Sequence, residues 1–220
     1  MSARTAIRLT QGAHARARAV AGSSASSAVA LSPLPSGMKT YVALLRGINL
    51  GSRKRVAMAD LRALVESLGA EDVATYVQSG NVVFKSADGA EQLTRAIERR
   101  IRRDLGLSVT VVVLSRPQLT KVLGGNPFAR AKTEQAKLHV TFLAEKPPRA
   151  KVGKLDPEAG QPDEFRLLGR QIYIHCPNGY GRSKLTNAYF DSKLGTVSTM
   201  RNWRTVLALL ELASAGASIG

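Results

Sequence analysis

Val73-Ala-Thr-Tyr-Val-Gln-Ser-Gly-Asn-Val-Val-Phe84 carries the topology of the first half of this chain. Val73, Thr75 and Val77 alternate with Ala74, Tyr76 and Gln78, the period-two pattern of a strand with one buried face. Ser79-Gly80-Asn81 supplies turn chemistry, and Val82-Val83-Phe84 returns as the hairpin partner. Upstream, Leu61, Leu64, Val65 and Leu68 fall at i, i+3, i+4 and i+7, a helix stripe that ends at Gly69. Before that helix lies the apolar run Tyr41 to Leu45, short enough for a buried central strand. Downstream, Leu93, Ile97, Ile101 and Leu105 step by four along a helix whose outer face carries Arg95, Arg99, Arg102 and Arg103. Val109 to Leu114 follows as a β-branched strand. The order is β-α-β-β-α-β, the ferredoxin-like unit: an antiparallel sheet with two helices on one face.

The pattern then starts again. After a short helix near Gln118 to Leu123, Leu138 to Leu143 reads as a strand, and Lys146 to Leu155 is polar and Pro-broken, a weak helix at best. Phe165 to Leu168 and Ile172 to Cys176 bracket Gly169-Arg170 as a second hairpin. Ser183 to Leu194 reads as a helix, followed by a short extended link. A last helix runs from Arg201 to Leu212, with Trp203, Val206, Leu207 and Leu210 on one stripe. The expected class is α+β: two ferredoxin-like α/β-plait subdomains at 38–115 and 116–214, with a C-terminal helix and a disordered tail at 215–220. No sequence identity links the halves, so the likeness is one of pattern.

Residues 1–37 are different in kind: rich in Ala, Ser and Arg, free of aromatic residues, and closed by Ser32-Pro33-Leu34-Pro35-Ser36-Gly37. They are expected to be a disordered basic leader outside the fold. A spurious extension before a true start at Met38, a transit-peptide profile and a basic arm all fit that composition.

The 220 residues are 44% hydrophobic, enough for a core without staples. The single cysteine, Cys176, excludes an internal disulfide and any multi-cysteine metal site. The longest apolar runs are far too short to cross a bilayer, and no membrane partner is expected. The net charge is +16, and four leader arginines account for little of it: 28 basic and 16 acidic residues remain in the body. Such a balance favours anionic partners.

Three glycine-bearing segments and one helix start could hold an anion. The loop Arg46 to Arg55 offers Gly47 and Gly51 for an inward-turned backbone, Asn49, and four cationic side chains, without a Walker or dinucleotide fingerprint. Gln78, Ser79 and Asn81 would add polar groups at the hairpin tip, which as a turn needs no further explanation. Pro177 to Leu185 is expected to open a helix capped by Ser183. Gly181, Arg182 and Lys184 lie around its start, where backbone N–H groups favour phosphate or carboxylate. Thr199 to Thr205 reads as another helix start, with Arg201 and Asn202 in or beside its first turn. Trp203 there is a core anchor rather than a stacking platform.

Catalytic candidates are thin. His139 and His175 sit in expected strands, Cys176 reads as a buried inert thiol, no carboxylate pair stands out, and no hydrolase or metalloprotease motif is present. No metal and no cofactor are expected.

Taken together, Tyr41-Val-Ala-Leu-Leu-Arg-Gly-Ile-Asn49, Thr75 to Phe84, Asn126-Pro-Phe128, Gly181-Arg-Ser-Lys-Leu185 and Arg201-Asn-Trp203 resemble the bacterial family called domain of unknown function 1697 (DUF1697). The resemblance runs from about Met38 to Leu212. It implies a cytoplasmic bacterial protein of two ferredoxin-like plaits starting near Met38, and it implies no established activity. Leu50 and Ser52 stand where smaller residues or glycine are expected, and Met200 where threonine is usual.

The function expected from these residues is binding of a phosphorylated small molecule or nucleotide in a basic Gly-rich cleft between the two plaits. Its residues would be Arg46, Gly47, Asn49, Arg55, Gln78, Ser79, Asn81, Gly181, Arg182, Ser183, Lys184, Arg201 and Asn202. Nucleic-acid binding on a plait sheet is the alternative, weakened by an aromatic content of 5%. A structural or regulatory role without ligand is the third.

Overall fold

The computed structural model describes residues 37–49, 55–130 and 132–215. The expected leader, save Gly37, the middle of the loop after Asn49, and the expected tail, save Ala215, lie outside the described residues. The first half runs β1 (Lys39–Leu45), α1 (Met58–Glu66), β2 (Glu71–Thr75), β3 (Asn81–Ser86), α2 (Ala90–Leu105) and β4 (Val111–Ser115). Helix α3 (Arg116–Gly124) follows without a break. Gln118 Oε1 accepts the Ser115 N–H at 2.8 Å, and Pro117 sits in the first turn, where a missing N–H costs nothing.

The second half repeats the scheme as β5 (Leu138–Leu143), α4 (Arg149–Val152), β6 (Glu164–Leu168), β7 (Gln171–His175), α5 (Asn187–Leu194) and β8 (Ser198–Asn202). Helix α6 (Trp203–Ala215) ends the described chain. The sheets have matching order, β2-β3-β1-β4 and β6-β7-β5-β8, with antiparallel neighbours throughout. The fold is α+β, with two similar ferredoxin-like halves and a C-terminal helix.

Three local expectations are corrected. The extended link before the last helix is β8, which pairs with β5 from His139↔Asn202 to Leu143↔Ser198, so Arg201 belongs to a strand and the helix starts at Trp203. Ser-Thr-Met-Arg-Asn carries no apolar alternation, and β5 supplies the pairing that local pattern does not. Helix α5 starts at Asn187, capped by Thr186, whose hydroxyl accepts the Tyr189 N–H at 3.2 Å. Ser183 is therefore not the cap. Its hydroxyl accepts the Leu185 N–H at 3.1 Å in the extended stretch that follows a 3₁₀ turn at Tyr180–Arg182. Strand β2 stops at Thr75 rather than reaching Gln78, and Tyr76 to Gly80 form the turn.

Strand alternation divides the core into three layers. Tyr41, Ala43 and Leu45 face α1 and α2, while Val42 and Leu44 face the other way. That second face packs with Val83, Val112 and Leu114 against α3, α6 and the β5 residues Leu138, Val140 and Phe142. The opposite face of the second sheet, with Leu143, Ile172 and Ile174, is covered by Leu185 and the α5 residues Phe190 and Leu194. Central strands of both sheets are thus buried on both faces, which explains the near-continuous apolar runs of β1 and of Val82 to Phe84 in β3. The middle layer is shared by the two halves.

Candidate functional site

The residues expected to form one site fall into two separate groups. The first gathers where β8 meets the β1 end and the β2–β3 turn. Arg201 lies opposite Val140, so its side chain enters the middle layer. Its guanidinium donates from Nε to Asn81 Oδ1 and from Nη2 to the carbonyls of Leu45 (2.8 Å), Ser79 (3.1 Å) and Gly80 (3.3 Å). From Nη1 it donates to Thr199 Oγ1 and the Met200 carbonyl, both at 2.8 Å. Every donor direction of the fork is used. Burial pulls its pKa down to about 10, which leaves it charged at neutral pH. Arg201 is a clamp between the halves, with no donor left for a ligand.

Its neighbours are equally engaged. Asn81, fully buried, donates to the Tyr76 carbonyl (3.0 Å) and to Ser79 Oγ (2.9 Å). Asn49 accepts the Val56 N–H (2.7 Å) and donates to the carbonyls of Val56 and Gln78, both at 3.0 Å, so it staples the loop to the hairpin turn. Arg46 forms an ion pair with Asp191 of α5, and Asp191 also accepts from Ser198 Oγ at 2.6 Å. Asn202 caps α6 by accepting the Thr205 N–H at 2.8 Å. Gly47, Arg55 and Gln78 are exposed at the surface around this group.

The second group lies in the second half alone. Gly160 to Asp163, Asn178, Gly179 and Gly181 to Lys184 line a cleft of about 550 Å³, and none of the first group lines it. Gly160 closes one wall: a Cβ there would come within 2.6 Å of Leu185, whose side chain is fully buried and cannot yield. Arg182 and Lys184 are exposed and have no ion-pair partner among the described residues.

The cleft contains a residue that the sequence reading passed over. Asp163 is only 6% exposed. Glu164 pairs with His175, so the next pair outward in that register sets Asp163 beside Cys176. His139 of β5 presents to the same sheet face, 8% exposed, with its ring 4.7 Å from that of Tyr180 and Nδ1 without a partner. Burial is the main reason the Cys176 thiol is pushed up to about 11, and the Asp163 charge adds to it. Burial also holds the His139 pKa below 6.5, with the Asp163 charge opposing. At neutral pH the thiol is protonated and the imidazole neutral, so this trio is not an activated nucleophile. A signal was present in the sequence: Asp163, Phe165 and Leu167 alternate with Glu164, Arg166 and Leu168, which aims Asp163 inward with Phe165.

The comparisons agree with this architecture. A family model described as Protein of unknown function (DUF1697) matches residues 38–173. The solved structure of conserved bacterial protein SP0830 from Streptococcus pneumoniae is similar with a TM-score of 0.63 and 24% identity, over 80% of this chain and 99% of that one. That likeness is one of fold. Comparison with curated proteins finds no match.

Proposed function

The chain belongs to the DUF1697 family, and from that premise, which assigns no activity, we propose that it binds a phosphorylated small molecule in the cleft at Gly160–Asp163 and Asn178–Lys184. The observation that carries this reading is the pair Arg182 and Lys184, exposed beside a cleft of about 550 Å³ with no carboxylate paired to either among the described residues. Two free cations at one opening attract a dianion, and Gly179 and Gly181 leave open space where side chains would stand. Arg46 and Arg201 take no part, since Arg46 is paired with Asp191 away from this cleft and the donors of Arg201 are spent on the hairpin and on β8. The ligand therefore sits in the second half rather than between the plaits.

Thermal unfolding tests the reading. A panel of nucleoside monophosphates and sugar phosphates should contain a ligand that, at 100 times its Kd, stabilises the native state by about 2.7 kcal/mol. For a chain of this size the melting temperature rises by about 5–10 °C. Arg182→Ala and Lys184→Ala should each remove most of that rise, while Arg99→Ala, exposed on α2, keeps it. Equal losses at Arg182 and Arg99 would mean diffuse charge attraction, and a panel without any shift would end the proposal.

A further inference from the structure

Phosphate binding by Arg182 and Lys184 leaves Asp163 without a purpose. An acidic group lining the same cleft repels a phosphate, and Asp163 is nine-tenths buried with no ion pair among the described residues. A carboxylate has about four acceptor positions, and among the described residues the one side-chain donor that reaches Asp163 is the weak thiol of Cys176. Acceptor positions left open on a residue that lines the cleft are suited to meet donors brought by the ligand.

We propose that the cleft takes a guanine nucleotide, with the N1–H and 2-amino groups of the base donating to the two Asp163 oxygens while the phosphate meets Arg182 and Lys184. This rests on the phosphate reading above and narrows it to one base. Two adjacent donors on one edge match a carboxylate as a fork. Guanine presents that pair. Adenine and cytosine place an amino group next to a ring nitrogen that is an acceptor, and uracil flanks its single N–H with carbonyl oxygens, so each sets a lone pair against Asp163. A cleft of about 550 Å³ is of the size that holds such a ligand, since small-molecule sites run from about 300 to 1,000 Å³. The base enters toward the buried acid and the phosphate stays toward the exposed cations. This order keeps the two anions apart.

Calorimetric titration of the full chain with guanosine, inosine, adenosine and xanthosine monophosphates tests the assignment, with ribose 5-phosphate and glucosamine 6-phosphate as further arms. Wild type should bind the guanine nucleotide at least about tenfold more tightly than the inosine and adenosine nucleotides, because inosine lacks the 2-amino donor. Asp163→Asn should weaken the guanine nucleotide by about tenfold to a hundredfold and bring xanthosine monophosphate level with it or above. The asparagine amide can accept from N1–H and donate to the xanthine C2 oxygen. Should Asp163→Asn fail to melt cooperatively, the wild-type preference between guanosine and inosine monophosphates decides alone. Equal binding of all four nucleotides, still lost in Arg182→Ala, would overturn the base assignment and leave phosphate binding standing. Tighter binding of glucosamine 6-phosphate would do the same, assigning Asp163 to an ammonium group. Binding of none of the six would remove both readings.

Discussion

Arg201 shows how one side chain can join two halves that are alike in pattern. Its five N–H donors reach a side-chain amide, a hydroxyl and four backbone carbonyls, and no carboxylate among the described residues neutralises it. The desolvation of the cation is offset only by those dipoles, which is why its pKa falls to about 10. Removing it strands the Leu45 carbonyl and Asn81 Oδ1 in a buried layer. Arg201→Ala should therefore cost about 3 kcal/mol or more, by the penalties for unsatisfied buried groups. Arg201→Lys should recover little of the loss, because a point ammonium with three donors cannot span the same acceptors. Urea unfolding midpoints of the three proteins measure this, and an Arg201→Ala midpoint equal to wild type would contradict the clamp.

At the scale of elements, the β2–β3 connection is the most unusual feature. Val77 sits at φ 49° and is 54% exposed, a β-branched residue in the left-handed region without packing to repay the strain. Gly80 is constrained from the other side: at φ 73° a Cβ would meet Ile48 and Leu45 at 2.8 Å. The carbonyls of Ser79 and Gly80 point to Arg201, so the turn adopts this path to present them. Val77→Gly should relieve the steric cost and raise stability by about 1 kcal/mol, because glycine adopts positive φ freely. Gly80→Ala should destabilise. Thermal melts of both variants check the pair of signs, and a Val77→Gly protein less stable than wild type would mean the valine side chain makes an interaction that outweighs the strain.

For the whole molecule, the decisive fact is the shared middle layer. Val42, Leu44, Val83, Val112 and Leu114 of the first sheet pack against α6 and the β5 face of the second half. In residues 38–115 alone those side chains would face water, and at about 25 cal/mol per Å² their exposure removes a large part of a small plait's stability. The fragment is expected to lack a cooperative melt near that of the intact chain. A sharp transition at the same temperature would instead make each plait an independent domain.

Much of this was legible in the residues themselves, and the reason is range. Helix stripes such as Leu93, Ile97 and Ile101, and alternations such as those of the two hairpins, report local periods, so element order and fold class follow from neighbours along the chain. The resemblance carried by the Tyr41–Asn49 and Thr75–Phe84 phrases agrees with the family match over 38–173. What depended on residues far apart was not legible. Strand β8 has no alternation of its own and exists because β5 pairs with it. Arg201 looked like a helix-start cation, yet its partners Leu45 and Asn81 lie 156 and 120 positions away. Glycine and charge single out the stretch 181–184 as an anion candidate at a helix start; in the structure it lines a cleft whose other lip, Gly160 to Asp163, adjoins it only because β6 and β7 pair. Local periodicity thus determined the elements. Pairing across the chain decided which polar groups are spent on structure and which remain open at a cleft.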